Sequence, residues 1–203
     1  MTRQSKRQLN NHGRKGDGRV RLIAGHWRGR RLPIVEAPGL RPTGNRLRET
    51  LFNWLQLSVA GAQCLDLFAG SGALGFEAAS RGAASVTLVE SNRVAANNLA
   101  EQMQLLGAGQ QVQLEHMNAV SFLENSAVRF DLVFVDPPFD DHCQLEILQQ
   151  LMGGHLAEQS LVYIEAPSKP ILADWPAHCQ VYRQQQFGDV MAYLLQIGAT
   201  LKA

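Results

Sequence analysis

Residues 64–90 read CLDLFAGSGALGFEAASRGAASVTLVE, and the parsing of this stretch decides the fold. "QCLDLF" (63–68) and "SVTLVE" (85–90) have the apolar content of strands, and 73–81 between them reads as a helix. Gly70, Gly72 and Gly75 form a G-x-G-x-x-G run at the strand-to-helix turn, and Glu90 ends the next strand 20 residues beyond Gly70. Glycines without a Cβ let backbone approach a ligand, and an acid at the second strand end can accept from both ribose hydroxyls. A tight turn with no ligand is the alternative, but strand, glycines and acid occurring together favour a nucleotide site.

The alternation continues to the end of the chain. Further strands are predicted at 111–116, 130–136, 160–166, 179–184 and 190–197, with helices at 92–106, 119–125 and 143–152. Strands separated by helices pair in parallel through right-handed crossovers. Only "QQFGD" separates the last two strands, too little for a crossover, so they should form an antiparallel hairpin. The expectation is an α/β fold: a doubly wound, seven-stranded, mostly parallel sheet with an antiparallel terminal hairpin.

The strand at 130–136 ends unusually, in "LVFVDPPFDD" (132–141). In an open α/β sheet, ligands bind in the crevice outside the carboxyl ends of the strands, so Asp136, Pro137, Pro138 and Phe139 are expected to face a nucleotide held by the glycine turn. Two prolines remove two backbone donors and fix φ near −65°, leaving a stiff loop that presents carbonyls. Such a loop suits a substrate that brings hydrogens, such as the exocyclic amino group of a base. Asp136 and the Pro137 carbonyl could accept its two N–H groups while Phe139 stacks on the ring. A rigid turn without chemistry is the bland alternative.

The 203 residues are 45% apolar and 18% charged, enough for one globular domain with a small appendage. No run of about 18 apolar residues and no apolar leader occurs, which points to a cytoplasmic protein. Cys64, Cys143 and Cys179 have no metal-site spacing and are expected to be free thiols. No metal site is expected.

A net charge of +1 hides an asymmetry. Residues 1–48 hold 13 of the 19 Lys and Arg residues but only Asp17 and Glu36 of the 18 acids; residues 49–203 hold the other 6 and 16. A basic appendage for a polyanion is implied, joined to a more acidic body. Residues 1–18 read as a flexible basic tail. Residues 19–35 suggest a β-hairpin with Arg28, Arg30 and Arg31 near its tip. In "RLRETLFNWLQL" (46–57), Leu47, Leu51, Trp54 and Leu55 share a helical face while Arg46 and Arg48 lie elsewhere, with Thr43 or Asn45 as N-cap. The expected division is a hairpin-and-helix extension at 19–60 and a catalytic domain at 61–203.

Several of these motifs resemble known families. Asp66, Phe68, Gly70 and Gly72 spell D-x-F-x-G-x-G, which resembles motif I of the class I S-adenosylmethionine-dependent methyltransferases. The resemblance implies that Asp66, Phe68 and the glycine turn surround the methionine part of the cofactor, that Glu90 holds its ribose, and that Asn118 and Ala119 contact its adenine. Asn118 is equally an ordinary helix N-cap. "DPPF" resembles motif IV of amino-group methyltransferases. "RLIAGHWRGRRLP", "GLRPTGNRLRETLFNWL", "CLDLFAGSGALGFEAASRGA", "VDPPF" and "AYLL" together resemble the RsmD family of bacterial 16S rRNA guanine-N2 methyltransferases, over residues 19–197.

That family's substrate implies transfer of a methyl group from S-adenosyl-L-methionine to guanine 966 of 16S rRNA in an assembled or nearly assembled small ribosomal subunit. The enzyme is expected to act as a monomer, with Arg28, Arg30, Arg31, Arg41, Thr43, Arg46 and Arg48 against the RNA. Three alternatives stay open: an amino methyltransferase acting on another group such as adenine N6, an NAD-dependent oxidoreductase, and a non-catalytic RNA-binding module.

Overall fold

A computed structural model describes residues 18–33, 44–138, 143–167, 175–176 and 178–198. Residues 1–17 of the expected tail at 1–18, and the residues Arg41, Thr43 and Phe139, lie outside these. A short antiparallel hairpin, β1 (Arg19–Arg21) and β2 (Arg31–Pro33), is followed by α1 (Asn45–Trp54). The body then alternates: β3 (Gln63–Asp66), α2 (Ala73–Ser80), β4 (Ser85–Val89), α3 (Arg93–Leu106), β5 (Val112–Glu115), α4 (Ala119–Asn125), β6 (Phe130–Val135) and α5 (Gln144–Met152). Three strands close it: β7 (Leu156–Pro167), β8 (Cys179–Phe187) and β9 (Val190–Gly198).

The seven-stranded sheet has the order β5-β4-β3-β6-β7-β9-β8. β5 to β7 run parallel; β9 enters antiparallel between β7 and β8, so the terminal hairpin is present and folds back on itself. The order reverses between β3 and β6, which opens the crevice at that point. β7 is longer than the apolar run suggested because β9 pairs along it from Gln159 to Pro167, and backbone pairing needs no apolar side chain.

Strand pleating sorts the core into two layers. Cys64, Val86, Leu132, Phe134, Tyr163 and Leu194 face one side, where they meet Leu51 and Phe52 of α1, Phe76 of α2 and Leu99 of α3. Leu65, Val89, Val133, Val135, Val162 and Ile164 face the other, against Phe122 and Leu123 of α4 and Ile147 and Leu148 of α5. Each such side chain contributes about 1.5–3 kcal/mol on burial, so the sheet is anchored from both faces. This sandwich leaves only the strand ends to meet ligands.

The N-terminal elements are fastened to α2 and α3 by polar contacts. Glu77 accepts from the backbone N–H groups of Ile23 and Ala24 at 2.7 and 3.0 Å. The Ser80 hydroxyl accepts from Trp27 N at 2.9 Å and donates to Ala24 O at 2.6 Å. Gly25 has φ +78° and packs so tightly on Ser80 that a Cβ would lie 1.8 Å from its carbonyl oxygen. From α3, Asn98 and Gln102 both donate to Pro33 O. The hairpin is therefore docked through its connecting loop on α2 and through Pro33 on α3.

Two local expectations at α1 are corrected. Gly44 occupies the N-cap without a side-chain bond, and Asn45 is the first helical residue, its Oδ1 accepting from Arg48 at 2.7 Å. Arg48 is fully buried, not on an RNA-facing surface. It also donates to Arg21 O at 3.0 Å, while Nε and Nη1 have no hydrogen-bond partner among the described residues. The buried stripe of α1 is wider than the leucines alone suggest. Arg48 and Phe52, one turn apart, form its second row, and the guanidinium ties the helix to β1.

Candidate active site

Four carboxylates stand at the carboxyl ends of four adjacent strands. Asp66 pairs with Phe134 and Leu88, so it shares their face of the sheet; Glu90 and Asp136 follow two residues beyond those partners on the same face. Phe134 pairs in turn with Tyr163, which puts Glu165 beside Asp136 at the same level. The row runs Glu90, Asp66, Asp136, Glu165 in the order β4-β3-β6-β7. Asp66, Glu90 and Glu165 are buried, whereas Asp136 is partly open to solvent.

The glycine turn hangs from the first two acids. Asp66 Oδ2 accepts from Gly75 N at 3.0 Å, and Glu90 accepts from Gly70 N and Asn92 N, both at 2.7 Å. A carboxylate has about four acceptor positions, so Glu90 keeps capacity for further donors. The glycines divide by role. A Cβ on Gly72 would lie 2.4 Å from the Phe76 ring, and one on Gly75 would lie 2.2 Å from Leu88. Those two serve helix packing, and Gly72 and Gly70 also take positive φ (75° and 52°). Phe68 is half-buried against the α4–α5 layer.

Burial pushes the Asp66 carboxyl up to about 7; the Gly75 N–H opposes this, and the charges of Asp136 and Glu90 add to it. Asp66 is thus a buried acid whose main visible contact is structural.

Beyond β6, Pro137 is buried and Pro138 exposed. Asp136 meets a neighbour that the motifs did not reveal. Glu165 accepts from the Tyr163 hydroxyl at 2.8 Å and lies beside Asp136 by the β6–β7 register. Burial raises the Glu165 carboxyl well above its ordinary value, and the Asp136 charge adds to this. The sequence shows only that Glu165 is the one acid in "SLVYIEA"; its place level with Asp136 follows from the β6–β7 register.

Other candidates fall around this row. Asn118 is exposed and caps α4, its Oδ1 accepting from Ser121 N at 2.8 Å; Ala119 is buried behind it. Arg28, Arg30, Arg31 and Arg46 are exposed on the N-terminal elements. None of the three cysteines is in a disulfide, and burial pushes the Cys64 thiol up to about 12, which makes it unreactive. Among the described residues, no group of acids, histidines and cysteines could hold a metal ion, and no helix is long and apolar enough to cross a membrane.

A family model described as conserved hypothetical protein 95 matches residues 20–196. A relative from Escherichia coli strain K12, ribosomal RNA small subunit methyltransferase D, is 44% identical over 182 residues, covering 89% of this chain and 91% of its own. The chain belongs to the RsmD family. The Haemophilus influenzae member of that name is 40% identical over 184 residues, covering 88% of this chain and 94% of its own. Among solved structures, yhhF from Escherichia coli is 44% identical with a TM-score of 0.81, covering 90% of this chain and all of that one. In this chain, a fold shared with that structure carries the crevice and the carboxylate row described above.

Proposed function

We propose that this protein transfers a methyl group from S-adenosylmethionine to the N2 amino group of a guanine in 16S rRNA, the position numbered 966, within the small ribosomal subunit. The observation that carries this is Asp136, the open member of the carboxylate row, followed by two prolines and set beside the Glu90-anchored glycine turn. The 44% identity to ribosomal RNA small subunit methyltransferase D supports rRNA as the substrate.

Glu90 fits the cofactor's ribose, because its two backbone bonds leave acceptor positions for hydroxyl donors. Asp66 would hold the turn in shape and Asn118 and Ala119 would border the adenine. The cofactor supplies an electrophilic methyl on a sulfonium, whose C–S bond breaks with the electron pair remaining on sulfur as the N–C bond forms.

The guanine amino nitrogen is a poor nucleophile because its lone pair is delocalised into the ring. Asp136 and the Pro137 carbonyl would take its two hydrogens, favour tetrahedral geometry and aim the lone pair. As positive charge develops on nitrogen, the Asp136 carboxylate stabilises it and accepts the departing proton. Phe139 would stack on the flipped base. The exposed Arg28, Arg30, Arg31 and Arg46, with Arg41 and Thr43, would bind the RNA around it, the 19–60 extension serving the catalytic body at 61–203. The enzyme is proposed to act as a monomer.

Nucleoside mass spectrometry of 16S rRNA from a strain lacking this protein tests the reading. Loss of N2-methylguanosine at one position, restored by the purified protein on small subunits, is expected. An unchanged N2-methylguanosine level, or loss of an N6-methyladenosine instead, would overturn it.

A further inference from the structure

The motif residues leave Glu165 and Tyr163 unused, although both are buried at the crevice. Two carboxyl groups cannot hydrogen-bond to each other without a proton between them. The β6–β7 register sets Glu165 beside Asp136, and the Tyr163 hydroxyl at 2.8 Å already donates to Glu165 Oε1. The arrangement closes in one direction: tyrosine O–H to one Glu165 oxygen, Glu165 O–H to the Asp136 carboxylate. A carboxylate has about four acceptor positions, so this bond alone does not exhaust Asp136.

We propose that Glu165, held protonated between Tyr163 and Asp136, is a positioning residue that fixes the Asp136 carboxylate toward the substrate amino group. The inference rests on the methyl-transfer reading above and names a residue it did not require. Register is the geometric reason: Phe134 pairs with Tyr163, and Asp136 and Glu165 extend from those partners on one face.

The surroundings favour the neutral form of Glu165. Glu165 is 5% exposed. The charges acting on it, Asp136 after β6 and Asp66 at the end of β3, are both negative. On its own strand it meets Tyr163; α5 offers the neutral Gln144, whose Nε2 donates to the Glu165 carbonyl at 3.2 Å, and β9 offers Ala192. Loss of the Glu165 proton would place a second carboxylate against Asp136 and remove the bond that orients it. The methyl-transfer rate should therefore fall on the alkaline side.

Glu165→Gln separates this from a merely structural role. The amide can donate to Asp136 and accept from Tyr163, yet it does not ionise. Initial rates on small subunits should be taken across pH for the wild type, Glu165→Gln and Glu165→Ala, with thermal melts for each. We expect Glu165→Gln within about threefold of the wild-type kcat near neutrality, and without the alkaline decline except for any part due to the guanine itself, which all three proteins share. Glu165→Ala should lose about 10- to 100-fold in kcat with little change in KM, as expected when a reacting group is misaligned.

A folded Glu165→Gln protein as slow as Glu165→Ala at neutral pH, or one that keeps the full alkaline decline, overturns the proposal. If the wild type itself makes no N2-methylguanosine, the functional reading fails instead. The two failures are thus distinct.

Discussion

Glu90 and Glu165 stand at opposite ends of one carboxylate row, at similar depth, and are satisfied in opposite ways. Glu90 meets two backbone N–H groups at 2.7 Å. Glu165 meets a tyrosine hydroxyl and another carboxyl. Backbone donors fix a loop and leave an acceptor for a neutral ligand; a paired carboxyl requires a proton and so ties its neighbour to pH. On the proposed function, the β4 side of the crevice holds the cofactor and the β6–β7 side serves the chemistry.

Removing the open member of the row should break the comparison most severely. Asp136→Ala is expected to lower methyl transfer by about 100- to 10,000-fold, the range for a positioned acid–base group. RNA affinity measured by filter binding should stay near the wild-type value. A comparable loss of RNA binding would place Asp136 in substrate capture instead.

Asp66, between the two sides, sharpens the contrast through stability. Its folded-state carboxyl sits at about 7 against an ordinary 3.8, with burial the leading cause. The folded protein therefore retains a proton that the unfolded chain has released between these values. The stability from this group is complete below the unfolded value and is lost as pH rises through about 7. Asp66→Asn should remove that slope, which is worth up to about 4 kcal/mol from a shift of this size. Urea titrations at pH 5 and pH 8 measure it, and parallel slopes for the two proteins would refute the assignment.

On the holding side, Glu90→Ala should weaken S-adenosylmethionine binding by about 10- to 100-fold, corresponding to loss of charge-assisted hydrogen bonds of about 1.5–3 kcal/mol. Isothermal titration calorimetry would show it. The alkaline decline in rate at saturating cofactor should be unchanged, because Glu90 is remote from the Asp136–Glu165 pair in the row. A shifted decline would mean that the row titrates as one unit.

The sheet was legible because its central parallel strands, β3 and β6, are buried on both faces and read as apolar runs between helices. The glycine turn and Asp136 were legible because close approach and strand ends leave marks in residue type. Glu165 was not, since its meaning depends on which strand lies beside β6. Arg48 misled because a charged residue was assigned to solvent, whereas the hairpin covers that row of α1 and Arg48 binds Arg21 O beneath it. The arginines of the RNA-facing set that remain exposed are testable as a group. Arg30→Ala with Arg31→Ala should cost about 1–2 kcal/mol in RNA affinity and reduce the salt slope by about 1 to 2. An unchanged slope would remove the hairpin from the RNA interface.

The smallest effect tests the far end of the chemical side. Tyr163→Phe removes only the hydroxyl that donates to Glu165, leaving a ring to meet Phe134, whose centroid is 6.3 Å from that of Tyr163. That hydroxyl favours the charged form of Glu165 and so opposes the effect of burial. Without it, Glu165 should hold its proton to higher pH, and the alkaline decline should move upward. A hydrogen bond worth about 0.5–1.5 kcal/mol corresponds to a displacement of at most about one pH unit. The rate near neutrality should change little, since Glu165 still donates to Asp136. A downward displacement would mean that the hydroxyl stabilises the protonated pair, and the direction of hydrogen bonding along Tyr163, Glu165 and Asp136 would have to be reversed.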